Sequence, residues 1–369
     1  MEFLSGFFDF LVSATSCCIP NPNISINGRA YRIIKLLGEG GFAFVYLAQD
    51  GSGNLYAVKK IRCTLETEDA DAAQREVEIY RLFDHPNIIR MIDTSTETEE
   101  DGSKTIYIFL PYYKRGNLQD AINRNNLNKT NFPEQQLLQL FHDVCIAVAY
   151  LHNYKPPRAT TTAYAAQTDD GPRQDREALL AGQQLQNQSS TIQTHQPGQE
   201  HEIIPWAHRD IKPGNIMLAD DGTTPILMDF GSAQQARIPI RNRQEALSQQ
   251  DLAAEQCSMP YRAPELFDVK SETMLDEKVD IWSLGCTLYA LAYGQSPFEM
   301  GMNEQGGSIA LAVLNGQFRF PSDPSLANLY SQSIKDLVSW LLVTDPAIRP
   351  DIHQVIAKVE TLLERGHEE

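Results

Sequence analysis

Long apolar runs are missing from this chain. None of its 369 residues belongs to such a run, and a membrane-crossing helix needs about 18 apolar residues in succession, so none is expected. Basic residues are also scarce: 31 Lys and Arg stand against 48 Asp and Glu, a formal net charge of -17. That deficit argues against nucleic acid as a partner, because phosphate backbones are read by basic faces. Cysteines are few: Cys17, Cys18, Cys63, Cys145, Cys257 and Cys286. They contain no C-x-x-C pair for zinc, and irregular spacing in so long a chain does not read as a disulfide framework. What is present is an ordinary soluble composition, 42% hydrophobic and 21% charged, with length for one two-lobed domain or for two domains.

The most informative stretch is His208-Arg209-Asp210-Ile211-Lys212-Pro213-Gly214-Asn215, followed by Asp229-Phe230-Gly231. Between them lie Ile216-Met217-Leu218, a turn signal at Asp220-Asp221-Gly222, and Pro225-Ile226-Leu227-Met228. Two short apolar runs around a turn read as a hairpin that delivers Asp210 and Asp229 to one place. The chemistry this suits is phosphoryl transfer, whose loose transition state asks for positioning and charge neutralisation. Asp210 is the candidate base for an attacking hydroxyl. Lys212 balances charge on the γ-phosphate. Asn215 and Asp229 supply the hard oxygen ligands that a metal ion needs.

Upstream, the sequence is strand-like from Tyr31 to Leu37, turns at Gly38-Glu39-Gly40-Gly41, and resumes from Phe42 to Ala48. Small residues there let backbone N–H groups approach phosphates. The pattern G-x-G-x-x-G-x-V is met through Gly38, Gly40 and Val45, except that Ala43 stands at the third glycine. A third strand is expected from Leu55 to Ile61, carrying Ala57-Val58-Lys59. A helix follows from Ala70 to Phe83, then strands from Ile88 to Asp93 and from Thr105 to Leu110. Lys59 can hold phosphates if an acid orients it; Glu76 is favoured because it shares a helix face with Tyr80 and Phe83, with Glu78 the alternative. Leu110-Pro111-Tyr112-Tyr113 joins two halves. A link of this kind would bind adenine by its backbone: Pro111 lacks an N–H, but its carbonyl would accept, the Tyr113 N–H would donate, and Leu110 would limit access behind. After Gly116 the character is helical, with a long helix over Gln135–His152.

Downstream, Tyr261-Arg262-Ala263-Pro264-Glu265 closes an activation segment. Its Glu265 wants a cationic partner, for which Arg349 is the candidate. Asp280, opening Asp280-Ile281-Trp282-Ser283-Leu284-Gly285, is placed to receive N–H groups of the catalytic loop. In order and nearly complete, these motifs resemble the eukaryotic protein kinase family over residues 29–364, and more closely the Numb-associated kinase group. The resemblance implies an α+β, two-lobed kinase fold. Its small antiparallel lobe would span 29–113 and its helical lobe 114–364, with an activation segment at 229–265. It implies ATP and Mg2+ (Mn2+ as the alternative), Met217 beside the nucleotide, and protein substrates. Lys-Pro-x-Asn after Asp210 resembles the serine/threonine class, and Ser258 matches the position that contacts the catalytic aspartate. The group also carries an extra helix in the activation segment; Arg243–Gln256, with apolar Ala246, Leu247, Leu252 and Ala253, fits it. Such a helix would order the loop without an activation-loop phosphate paired to Arg209.

Two segments stand outside this frame. Residues 1–28 place Phe3, Leu4, Phe7, Phe8, Leu11 and Val12 at helical spacing ahead of Cys17-Cys18. Adjacent cysteines beside an amphipathic segment suggest dual S-palmitoylation. Glu2 rules out myristoylation, and the alternative is a helix packing on the body with two idle thiols. With the group's association with Golgi or vacuolar membranes, this gives an expectation of the cytoplasmic face of those membranes, with some protein cytosolic, and a role in trafficking. The polar stretch 154–205 reads as a disordered insertion, with a partner-docking loop as the alternative. Asn117 and Gly214 stand where related kinases that select arginine carry acids, so strong arginine selection through them is not expected. A pseudokinase scaffold is the competing function. Lys59, Glu76, Asp210, Asn215 and Asp229 are all present and argue against it.

Overall fold

The structure is a computed structural model that describes residues 23–40, 43–63, 67–99, 102–156, 203–305 and 307–366. The small lobe is built from β1 (Asn23–Ile26), β2 (Arg29–Gly40), β3 (Ala43–Asp50), β4 (Leu55–Cys63), α1 (Thr67–Leu82), β5 (Asp93–Thr98) and β6 (Lys104–Pro111). Its strands form one antiparallel sheet in the order β1-β2-β3-β4-β6-β5. Strand alternation sorts their side chains onto two faces. Val45 pairs with Lys59 and Lys59 with Ile108, while Ala57 pairs with Leu110, which puts the candidate nucleotide residues on one face. The other face has its own core of Ile26, Tyr31, Ala48, Val58, Tyr107 and Phe109. The Tyr31 ring sits 4.8 Å from that of Phe109 and 5.8 Å from that of Tyr56.

β1 was not among the expected strands. It is joined to β2 through Asn27 and Gly28, at φ 51° and 74°, the left-handed pair that a two-residue hairpin turn requires. The Asn27 amide donates to Asp93 Oδ1 (3.2 Å) and to the Thr94 carbonyl (3.0 Å). It thus ties the first hairpin to the far edge of the sheet. The strand expected over 88–93 is not one. Ile88 and Ile89 are buried, Ile88 makes a single bridge to Leu227, and the Ile89 N–H donates to the Leu227 carbonyl at 2.9 Å. These residues staple the two lobes together, and the strand begins only at Asp93. β2 stays paired through Gly40, so Gly38 to Gly40 are strand residues where a turn was expected; Gly41 and Phe42 lie outside the described residues.

The large lobe holds α2 (Leu118–Asn128), α3 (Glu134–His152), β7 (Trp206–Ala207), β8 (Ile216–Leu218), β9 (Pro225–Leu227), β10 (Gln234–Gln235), β11 (Ile238–Ile240), α4 (Arg243–Gln256) and β12 (Thr273–Leu275). The chain continues with α5 (Lys278–Tyr293), α6 (Pro297–Gln305), α7 (Ile309–Leu314), α8 (Pro324–Ala327), α9 (Gln332–Leu341) and α10 (Ile352–Arg365). Every residue of α5 from Val279 to Tyr293 is buried, as befits a helix apolar on all sides at the centre of a lobe. The α+β, two-lobed class expected from the motifs is the one observed. Cys63, Cys145, Cys257 and Cys286 are buried. Among the described residues no helix is long and apolar enough to cross a membrane. The Ile204 N–H donates to the Tyr154 carbonyl at 2.9 Å, so the chain departs and returns at one point of the body. Most of the stretch between, like the N-terminal segment with Cys17 and Cys18, lies outside the described residues.

Candidate active site

Lys59 projects from β4 and meets two acids. Its Nζ lies 2.7 Å from Glu76 Oε1 on α1 and 3.0 Å from Asp229 Oδ1. Glu76 is buried, whereas Glu78 is exposed, which resolves the choice between them. Burial alone would pull the Lys59 ammonium down, but the carboxylates of Asp229 and Glu76 outweigh it and hold it well above the usual lysine range. Asp229 is held below the usual carboxylate range, first by Lys59. Glu76 goes the other way, raised by burial against the pull of Lys59. The next residue fixes the helix in place. Phe230 is fully buried, with its ring 5.3 Å from Tyr80, 5.5 Å from Phe83 and 5.3 Å from His208. The helix face read from Glu76, Tyr80 and Phe83 is therefore the face that grips the Asp229 loop.

Asp210 is surrounded by donors. Its Oδ1 accepts from the Ser258 N–H at 2.8 Å, and its Oδ2 accepts from Lys212 Nζ at 2.8 Å and Asn215 Nδ2 at 2.9 Å. Lys212 Nζ also donates to Ser258 Oγ at 2.5 Å. Asn215 spends its amide nitrogen on Asp210, giving to the backbone carbonyl as well at 2.8 Å, which turns its oxygen away from that contact. The Met228 N–H donates to the Asn215 carbonyl at 2.9 Å, in register with the β8–β9 hairpin that pairs Ile216 with Leu227. The hairpin therefore brings Asn215 beside Asp229. An amide oxygen and a carboxylate are the hard donors suited to a divalent cation that keeps phosphate and water as its other ligands.

The loop itself is clamped from below. Asp280, fully buried at the start of α5, accepts from the N–H of His208 (2.7 Å) and of Arg209 (2.8 Å), with His152 Nε2 3.0 Å away. Burial would raise its carboxyl, but the His152 hydrogen bond and these donors bring it below the usual range. Arg209 and Asp229 both adopt left-handed backbone, φ 69° and 67°. Strain of that kind at two residues of one site persists only where surrounding bonds over-determine it. His152 and Ser232, whose Oγ donates to the His208 carbonyl at 2.8 Å, were not found from the sequence. Nothing in their local pattern marks them.

On the nucleotide side, Ala57, Tyr113 and Met217 are partly buried against the main core and Leu110 is buried. Met217 stands between buried Ile216 and Leu218 and so faces the opposite way. The segment Leu110-Pro111-Tyr112-Tyr113 is followed by a clamp onto the hairpin turn: the Lys114 N–H and Arg115 Nε donate to Asp220 at 3.2 and 2.9 Å. A Cβ built on Gly38 would meet nothing within 4 Å. The protein's own packing therefore does not demand glycine there, as expected where a ligand approaches the backbone. The Asn117 side chain accepts from the Asp120 N–H at 2.9 Å and caps α2. Glu265 meets Arg349 in a two-pronged ion pair at 2.7 and 3.0 Å. The activation-segment helix α4 spans Arg243–Gln256 as expected, but its contacts come from buried Ala246 and Ala253, and Leu247 is exposed.

A lysine–acid pair over a donor-clamped aspartate, in a cleft between a sheet lobe and a helical lobe, defines a protein kinase. The protein kinase domain family matches residues 31–155 and 201–359, and the chain belongs to it. The match breaks where the insertion stands. The chain is similar to serine/threonine-protein kinase ENV7 of Saccharomyces cerevisiae, 34% identical over 94% of this chain and 96% of that one. It is similar to serine/threonine-protein kinase ppk13 of Schizosaccharomyces pombe, 35% identical over 95% and 96%. Serine/threonine-protein kinase 16 of Homo sapiens is 35% identical over 94% of each chain. Membership implies ATP, a divalent metal and protein substrates.

Proposed function

We propose that the protein transfers the γ-phosphoryl group of ATP to serine and threonine hydroxyls of proteins at the cytoplasmic face of intracellular membranes. The observation that carries the chemistry is the clamp on Asp210, whose carboxylate is aimed by Ser258, Lys212 and Asn215. In this reading Asp210 orients the incoming hydroxyl and takes its proton, and Lys212 neutralises charge on the transferred group. Lys59, held by Glu76, grips the α- and β-phosphates. Gly38, Gly40, Gly41 and Val45 cover the phosphates, Ala57 and Met217 enclose adenine, and the Pro111–Tyr113 backbone hydrogen-bonds its edge. Asn215 and Asp229 hold Mg2+, which supplies electrostatic stabilisation on the phosphates. The test is phosphorylation of a serine/threonine peptide array with MgATP. Asp210→Asn is expected to lose at least about a hundredfold in rate; equal signals from the two proteins would refute the mechanism.

The membrane half of the proposal rests on Cys17 and Cys18 beside the Phe-rich segment, and on the resemblance to a group that works at Golgi or vacuolar membranes. Two acyl chains anchor stably where one does not. Tagged protein is expected in a membrane fraction, with trafficking partners as substrates, and released by hydroxylamine, which cleaves thioesters. Retention after hydroxylamine would move the anchor from the cysteines to the apolar segment.

A further inference from the structure

We propose that Gln249 on α4 and Gln234 on β10 are positioning residues that hold the catalytic loop in its working shape through Arg209. The inference rests on the kinase reading above. Arg209 is only 5% exposed. Its Nη1 donates to Gln234 Oε1 at 2.8 Å and to Gln249 Oε1 at 3.0 Å. Its Nη2 is buried with no hydrogen-bond partner, and no ion pair involves it among the described residues. A guanidinium this deeply placed normally sits against a carboxylate or a phosphate. Here two neutral amides receive it.

The three residues come from the three segments that must be arranged for transfer. Arg209 precedes Asp210. Gln234 lies just after Asp229-Phe230-Gly231, on a strand whose partner β7 leads into the catalytic loop. Gln249 lies in the helix that runs down to Ser258. The far end of that helix is fixed as well. Arg262 Nη2 donates to the Cys257 carbonyl at 2.7 Å and the Ala254 carbonyl at 3.3 Å, and the next residue, Ser258, gives its N–H to Asp210. Helix α4 thus braces the aspartate from both sides, through Gln249 and Arg209 from one and through Ser258 from the other. An amide oxygen accepts the bond that a phosphate oxygen on the segment would accept, without the charge. The brace is complete in unphosphorylated chain.

Removing the Gln249 acceptor strands a further N–H of a buried cation, a cost that reaches about tenfold in an equilibrium constant. The experiment measures kcat and KM for ATP on the full chain for wild type, Gln249→Met, Gln249→Glu and Gln234→Met, before and after phosphatase treatment. A melting temperature is recorded for each. Gln249→Met keeps volume and helix propensity, and its kcat is expected to fall roughly tenfold with KM for ATP within about threefold, since the Lys59 triad does not touch α4. Gln249→Glu keeps the acceptor and adds a charge, and is expected to stay within about twofold of wild type, a rescue that mere packing would not give. Phosphatase is expected to leave wild type unchanged. If Gln249→Met does not fold, Gln234→Met carries the same expectation from the other side of the guanidinium. The proposal is overturned if the methionine variants match wild type, if Gln249→Glu falls as far as Gln249→Met, or if phosphatase alone costs wild type tenfold. Inactive wild type would instead count against the kinase reading.

Discussion

A single ammonium organises the ATP side of the cleft. Lys59 is the only cation within ion-pair distance of Glu76 and Asp229 among the described residues, so Lys59→Met leaves two carboxyls facing each other. Breaking a buried pair in this way costs about 3 kcal/mol, less here because Asp229 is partly open to solvent. The pH dependence has a definite sign. Asp229 is depressed by Lys59, so its contribution is present above the ordinary carboxylate range and is lost as pH falls through its folded value. Lys59 is raised, so its contribution is present below the ordinary lysine range and is lost only as pH rises through its folded value. Urea midpoints of wild type and Lys59→Met should therefore differ at pH 7 and converge as acid titrates the carboxyls, while peptide phosphorylation by the variant drops at least about a hundredfold. A gap that persists in acid would mean that lost packing, not charge, is what the variant measures. Residues of this kind were legible because phosphate chemistry restricts them to a few types at fixed spacings. Gln234, Gln249 and His152 were not, because each acts by a hydrogen bond to another protein group and any of several polar types could make it.

Among the elements, α5 is the post against which the large lobe is built, and at Gly285 it leaves no room for a side chain against α9. A Cβ there would lie 2.8 Å from Leu342 Cδ2 and 2.9 Å from Leu341 Cβ at the end of α9. Leu341 is itself fully buried, so the neighbour cannot swing away. Gly285→Ala is expected to push the two helices apart and destabilise by about 1–3 kcal/mol, read as a lower urea midpoint with little change in KM for ATP. An unchanged midpoint would mean that α9 slides at no cost. Two helices were readable to within a residue, α3 from its amphipathic period and α4 through the extra helix that the group resemblance implies. The errors lie where tertiary contacts override pattern. Ile88 and Ile89 look like strand residues, but they are buried as a staple onto Leu227. The Asn27-Gly28 hairpin signal lies inside residues 1–28, the segment read as an anchor, and so did not register as a turn between strands.

At the scale of the whole molecule, the interruption after α3 is the feature that departs most from a plain kinase. The family match stops at residue 155 and resumes at 201, and the two ends are already joined by the Ile204–Tyr154 hydrogen bond. Tyr154 is buried, its ring 5.4 Å from that of Phe83. Trp206 approaches Phe83 from the returning strand, at 5.8 Å. Both edges of the gap are thus held by the same aromatic that supports Phe230. A linker that spans this short distance closes a smaller loop than the native one, and loop-closure entropy changes by only about 0.6 kcal/mol for each halving of length. Replacing residues 157–202 with a short Gly-Ser link is therefore expected to leave kcat on a peptide within about twofold and to raise the melting temperature slightly. Should kcat on the peptide collapse while the melting temperature holds, the stretch takes part in catalysis. Should both hold while phosphorylation of full-length protein substrates falls, it selects substrates instead.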